Sequence, residues 1–110
     1  MPKTVNSKKQ NLHTNKVYQV ILVLSKSDRR RLVLFLDSPY FNKSKTLSTL
    51  CKTFVELAES GQTTGFDKVE IWHKLFAEQP YDDVNFRKYN SDLMKIVERF
   101  LAQQSIESKS

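Results

Sequence analysis

The chain has little of what most catalytic or covalently braced proteins rely on. Of its 110 residues only one is cysteine (Cys51), two are glycine and three are proline. A lone cysteine excludes a disulfide scaffold and fits a reducing compartment. So few turn-forming residues argue against an all-β fold, which needs many tight turns. No apolar stretch follows the basic start Met1-Pro2-Lys3 that could act as a secretory leader. The longest apolar runs, Val20 to Leu24 and Leu32 to Leu36, fall far short of the roughly 20 residues of a membrane-spanning helix. These features predict a cytoplasmic protein without a membrane segment.

What is present is ordinary globular material: 39% hydrophobic, 27% charged and 11% aromatic residues. Aliphatics and aromatics at that level exclude a chain that is disordered throughout. A domain of this length buries roughly two-thirds of the surface its unfolded chain exposes, enough for one core. The expected organisation is a basic disordered tail over 1–13, a single helical domain over 14–104 and a polar tail over 105–110.

Apolar spacing and end signals predict five helices. The first runs from Thr14 or Asn15 to Leu24, with Thr14 as cap and Val17, Val20, Ile21 and Leu24 at helical spacing. The second follows Ser25-Lys26-Ser27-Asp28, where Ser25 and Asp28 stand at the spacing of a capping box and Ser27 is the other candidate cap. Its body, Leu32-Val33-Leu34-Phe35-Leu36, is apolar throughout and reads as buried; a helix is preferred because no partner strand exists elsewhere. Pro39 ends it. The third, capped by Ser44, carries the stripe Leu47, Leu50, Cys51, Phe54, Val55, Leu57 and Ala58, with Gly61 past its end. The fourth opens at Asp67 with Glu70 three residues on, carries Ile71, Trp72, Leu75 and Phe76, and is stopped by Pro80. The fifth starts at Asp82 or Asp83, whose acids suit a helix N-terminus, and runs to about Gln104. The expected fold is an all-α compact bundle. Its core is expected from Val20, Ile21, Leu24, Leu34, Phe35, Leu50, Phe54, Leu57, Trp72, Leu75, Phe76, Leu93, Val97 and Phe100.

Two segments echo each other. Leu34-Phe35-Leu36-Asp37-Ser38-Pro39-Tyr40 aligns with Leu75-Phe76-Ala77-Glu78-Gln79-Pro80-Tyr81, and Ser48-Thr49-Leu50-Cys51-Lys52 with Ser91-Asp92-Leu93-Met94-Lys95 after a two-residue shift. Each unit reads as a helix stopped by Pro-Tyr and followed by a longer helix that packs back on it. After a lead helix, this describes two similar hairpins in the size range of helical repeats.

No constellation nominates catalysis or a cofactor. His13 and His73 have no second ligand at a zinc spacing. Cys51 lies on an apolar stripe, where a thiol is inert. Gly61 and Gly65 lead to no Lys-Ser or Lys-Thr, so there is no phosphate loop. Asp82 and Asp83 are explained by capping. The expectation is a protein that is not an enzyme, with no catalytic, cofactor or metal residues.

Charge is the more informative feature. Residues 1–52 hold eleven lysines and arginines against Asp28 and Asp37, a balance of +9; residues 53–110 hold seven against ten, a balance of −3. Such asymmetry hints at a polyanionic partner, although a solubilising basic tail is the commoner explanation. Arg29-Arg30-Arg31 stands after a short turn between helices, as a recognition helix would. The apolar run behind it leaves only the first turn for solvent, enough to touch phosphates but not to read bases. Lys26, Arg29, Arg30, Arg31, Lys43, Lys45 and Lys52 are therefore the candidate anion or nucleic-acid contacts. Tyr40, Phe41 and Tyr81, at corners between helices, are candidate docking aromatics or covers for helix ends.

The stretch Phe35-Leu36-Asp37-Ser38-Pro39-Tyr40-Phe41-Asn42, with Pro80-Tyr81-Asp82-Asp83, Arg87 and Ser91-Asp92-Leu93, resembles the N-terminal region of a group of larger uncharacterised proteins from Bacteroidetes bacteria. The resemblance covers about residues 17–104 and implies no activity, cofactor or site residue. It does imply an N-terminal module, stand-alone or excised, with more helices after the fifth in its relatives. The function expected is a non-catalytic helical interaction module that binds protein or a neighbouring domain. The alternative is a nucleic-acid-binding domain that uses the basic N-terminal half.

Overall fold

The computed structural model describes residues 15–60 and 68–109. These form five helices: α1 (Lys16–Val23), α2 (Lys26–Asp37), α3 (Lys45–Ser60), α4 (Lys68–Leu75) and α5 (Asp83–Lys109). There is no strand among the described residues, and the all-α bundle is the fold. The expectations placed on His13, Thr14, Gly61, Gly65 and Asp67 lie outside the described residues.

The starts of α1, α2, α3 and α5 are each fixed by a side-chain oxygen that takes up an orphan backbone N–H. Asn15 caps α1: its Oδ1 accepts from the Tyr18 backbone N–H at 2.9 Å. Its amide nitrogen meanwhile donates to Asn90 Oδ1 at 2.9 Å, which ties the head of α1 to α5. Ser25, not Ser27, caps α2 by accepting from Asp28 N–H at 3.1 Å. Ser44 caps α3 through Leu47 N–H at 3.2 Å. Asp82 caps α5 through Asn85 N–H at 3.1 Å. The loop between α2 and α3 is held by Asn42, whose side chain donates to the carbonyls of Leu36 and Ser44 and accepts from Ser44 N–H. That amide satisfies the carbonyl of Leu36, a last-turn acceptor of α2 that the helix itself leaves open.

α3 is the central helix and packs against each of the other four. Its stripe is buried as its spacing predicts: Leu47, Leu50, Cys51, Phe54, Val55 and Leu57 face inward, with Ala58 partly buried at the end. α1 contributes Val17, Tyr18 and Ile21, α4 Ile71 and Trp72, and α5 Phe86, Leu93, Val97 and Phe100. α2 lies antiparallel to α5. Asp28 near its start accepts from Gln104 at 2.9 Å, and Phe35 near its end meets Phe100 edge-on at 5.5 Å.

Four expectations change. Leu34 is not core but 63% exposed. Successive helical residues turn by about 100°, so with Leu32 and Leu36 buried on one face, Leu34 lies about 200° from each. Tyr18 and Phe86, which the expected core left out, belong to it, while Leu32 and Leu36 are buried as the reading of their run has it. α4 ends at Leu75, five residues before Pro80, because the chain folds back so that Trp72 Nε1 donates to the Gln79 carbonyl at 3.0 Å. α5 continues past Gln104 to Lys109, a helix of 27 residues or about 40 Å.

The sequence echo has unequal counterparts in space. α2 runs to two residues before its proline, whereas α4 stops five before its own. Leu50 and Leu93 are both buried, but Leu34 is exposed where Leu75 packs on the core. Tyr40 is exposed, whereas Tyr81 packs between Trp72 and Phe86.

Candidate interaction surface

The arginine triplet does not act as one unit, because consecutive helical residues point in three directions. Arg29 turns inward to α1. Its Nε donates to the Ile21 carbonyl and a terminal nitrogen to the Leu22 carbonyl, each at 2.9 Å. These are last-turn carbonyls of α1, the negative end of that helix, so the guanidinium satisfies both hydrogen bonding and the helix dipole. Arg31 lies 3.7 Å from Asp28, with its side chain 60% exposed. Arg30 points to solvent, with no ion pair or hydrogen bond among the described residues.

The lysines fall into two groups at the two ends of α2. Lys26 stands at its start, while Lys43 and Lys45 stand beyond its end. The helix between them is about 16 Å long. All three are exposed. Lys52 is 3.5 Å from Asp37, which also accepts a short hydrogen bond from Ser48. The Ser48 bond and the Lys52 ammonium together hold the Asp37 carboxyl below its ordinary range, against a smaller opposing effect of desolvation. Arg29 is thus occupied by the fold, Lys52 is half-neutralised, and Lys26, Arg30, Lys43 and Lys45 remain available to an anion.

The three corner aromatics also separate. Tyr81 is half-buried, and its hydroxyl donates to Asp83 at 2.6 Å, so it covers the start of α5. Phe41 is half-buried, stacked on Phe35 with centroids 4.0 Å apart and rings 17° from parallel. Tyr40 is 85% exposed and stands edge-on to Phe41 at 4.9 Å. Above Phe41, 6.0 Å from its centroid, lies the guanidinium of Arg99 from α5, a cation–π contact.

These positions fall on two rows of α2. Arg30 and Leu34 are four apart on α2, as are Arg31 and Phe35, so each pair occupies one row of the helix face. Phe41 and Tyr40 continue the row of Phe35 beyond the helix end. The Arg31–Phe35 row thus leads to Phe41, Tyr40 and Arg99, whereas the row of Arg30 and Leu34 lies about 100° away around α2. Sequence reasoning missed Leu34 and Arg99. The 200° separation of Leu34 from Leu32 and Leu36 was available in the sequence; the approach of Arg99 to Phe41 depends on how α2 lies against α5 and was not.

The other residues considered for chemistry are held by the fold. Cys51 is fully buried, and burial pushes its thiol up to about 12, with the nearby Asp37 carboxylate adding to the effect. A thiol so far from ionising at neutral pH is a poor nucleophile. His73 is exposed on α4. A shallow cleft at the α4–α5 corner is lined by Trp72, Tyr81, Asp82, Asp83 and Asn85 among others, but its polar groups serve one another. Asp83 takes the Tyr81 hydroxyl and the Arg87 guanidinium, both of which lower its pKa, with Lys68 3.6 Å away. Asp82 takes two bonds from Asn85. Among the described residues no three His, Cys, Asp or Glu side chains are grouped to hold a metal, and no helix is long and apolar enough to cross a membrane.

Compared with protein-family models, with curated proteins and with solved structures, the chain matches none.

Proposed function

We propose that this chain is a non-catalytic interaction module that binds a protein, or a neighbouring domain, through the outer face of α2. The observation that carries the reading is the exposure of Leu34 at 63%, one helical turn from Arg30, together with that of Tyr40 at 85% beyond the helix end. Single exposed apolar residues are common, but arginine and tyrosine exposed on the same helix and its end are the residue types of binding hot spots. The buried lone thiol of Cys51 suits the reducing cytoplasm. The resemblance to the N-terminal regions of larger Bacteroidetes proteins makes a neighbouring domain one natural occupant.

The test places a benzoyl-phenylalanine photocrosslinker at Leu34, and in a control at Glu56 on the exposed side of α3, in cells that make the protein. Protein adducts at the first position and not at the second support the reading. Equal adducts at both positions refute it.

The second reading is nucleic-acid binding, favoured by the basic first half and by Lys26, Arg30, Lys43 and Lys45, which form no ion pair among the described residues. It is tested by fluorescence anisotropy against generic DNA and RNA at about 50 and 200 mM salt. Several phosphate contacts predict a loss of affinity by orders of magnitude over that range. A repeat without residues 1–13 separates the fold from the tail.

A further inference from the structure

We infer that the turn after α2 binds single-stranded nucleic acid, one base stacking on Tyr40 while neighbouring phosphates meet Arg99, Lys43 and Lys45. The inference rests on the nucleic-acid reading and adds to it the strand state and the place. It concerns a different side of α2 from Leu34, whose row lies about 100° away.

Tyr40 is an aromatic ring held in solvent by a stiff piece of chain. Pro39 fixes the backbone angle before it. The Ser38 carbonyl accepts from Phe41 N–H and from Asn42 N–H, each at 3.0 Å, and the Asn42 side chain clamps the turn to Leu36 and Ser44. The Tyr40 ring stands at 86° to that of Phe41, and the residue is 85% exposed, so a face of the ring is open. The rings beneath it are taken: Phe41 stacks on Phe35, which meets Phe100 edge-on. The cluster therefore presents a flat ring rather than a socket for an aliphatic side chain. A nucleobase needs only the flat ring, and such stacking accepts any base.

Cations surround that ring. The Arg99 guanidinium lies 6.0 Å from the Phe41 centroid, and Lys95 stands one turn before it on the same row of α5. Lys43 follows Tyr40 by three residues, which keeps its Cα within about 11 Å, and Lys45 opens α3. All four are exposed, and none forms an ion pair among the described residues. The carboxylates nearest in sequence do not balance them. Asp37 is taken by Ser48 and Lys52, and Glu98 is turned about 100° from Arg99 around α5. A duplex keeps its bases paired and stacked, with no face free for Tyr40; a single strand offers phosphates and open bases together.

The experiment measures fluorescence anisotropy of labelled probes against the full chain at about 50 and 200 mM salt, with amide chemical shifts locating the contact. The probes are oligouridine of about eight nucleotides, an abasic deoxyribose-phosphate strand of the same length, a DNA hairpin duplex and oligoglutamate. The inference expects oligouridine to bind most tightly and to shift residues 38–45 and Arg99. Tyr40→Ala should weaken it about tenfold, while Tyr40→Phe keeps the ring and most of the affinity. Lys43→Ala with Lys45→Ala should flatten the slope of log affinity on log salt by about 1.4, the loss of two phosphate contacts on a single strand. All these variants change exposed side chains, and spectra unperturbed away from the turn verify that the fold is kept.

Abasic or duplex binding as tight as that of oligouridine overturns the inference, as does an unchanged affinity in Tyr40→Ala. In those cases the nucleic-acid reading stands and only the stacking site falls. Tighter binding of oligoglutamate at the same residues also overturns it, in favour of an acidic protein. No binding of any oligonucleotide at the lower salt overturns the inference and the nucleic-acid reading together.

Discussion

Replacing Arg29 by alanine separates the structural arginine from its neighbours, and its cost can be worked from the contacts. Two charge-assisted hydrogen bonds go to α1 carbonyls, at 2.9 Å each. Hydrogen bonds of that kind contribute about 1.5–3 kcal/mol when sheltered. The bond to Ile21 is part-buried, but the Ile21 carbonyl also accepts from Leu24 N–H, so it is not orphaned when the arginine goes. The bond to Leu22 is exposed and counts for less. Losing a cation at a helix C-terminus adds about 0.3–1 kcal/mol, overlapping in part with the first two effects. The expected destabilisation is about 2 kcal/mol. With a urea slope of about 1.5 kcal/mol/M for a domain of this size, the midpoint should fall by about 1.3 M. Arg30→Ala, which removes an exposed side chain, should stay within about 0.5 kcal/mol of the parent. Arg29→Lys keeps the charge but not the fork, so it should recover about half the loss. Urea unfolding followed by far-ultraviolet circular dichroism measures all three. If Arg29→Ala matches Arg30→Ala, the role assigned to the α1 carbonyls is wrong.

The remaining predictions concern buried and paired groups. Tyr18 is fully buried, burial pushes its phenol above the usual value, and its hydroxyl has no hydrogen-bond partner among the described residues. Tyr18→Phe should therefore be neutral or stabilising by about 1 kcal/mol, raising the thermal midpoint by about 4 °C, and a clear loss of stability would mean that the hydroxyl is satisfied. The Cys51 thiol, pushed up to about 12, should react with a disulfide reagent only as fast as the native state opens. Reaction at the rate of a free thiol in native buffer would contradict its burial. Asp37 is held below its ordinary value of 3.8, so its contribution is complete above that pH and fades as pH falls toward the lower native value. Asp37→Asn should flatten that part of the acid-stability curve; an unchanged curve would show that Ser48 and Lys52 do not favour the charged form.

Local rules made much of the fold legible. Ser25 and Ser44 cap α2 and α3 where short polar residues precede an apolar pattern, and the α3 stripe lies inward along its length. Proline was a weaker guide. Pro80 sets only an outer limit for α4, and the actual stop comes from Trp72 reaching the Gln79 carbonyl, a contact made by the folded-back chain. The run Leu32–Leu36 misled because composition was weighed before rotation: a helix packed on one side buries about half its circumference, so a run of five apolar residues must leave at least one outside. Tyr18 was hidden by type, since tyrosine reads equally as surface or core until its ring is seen against Phe54 at 5.8 Å. The candidate surface was less legible than the fold because it is assembled across elements. Asp28 meets Gln104 across 76 residues of sequence, and that seam is what brings α5 and Arg99 to Phe41.

The arginine triplet shows how position rather than type divides structure from function. Cations near a helix N-terminus oppose its dipole, a cost of about 0.3–1 kcal/mol each where exposed. For Arg29 that cost is offset, because the corner between α1 and α2 brings the negative end of the first helix onto its guanidinium. For Arg31 the offset comes from Asp28 in the preceding turn, at 3.7 Å and largely in water, where such a pair is worth little. Arg30 has neither. It stands in the first half of α2, four residues before the exposed Leu34, and nothing within the described fold compensates it. An uncompensated charge beside an uncovered apolar side chain adds nothing to the stability of the isolated domain.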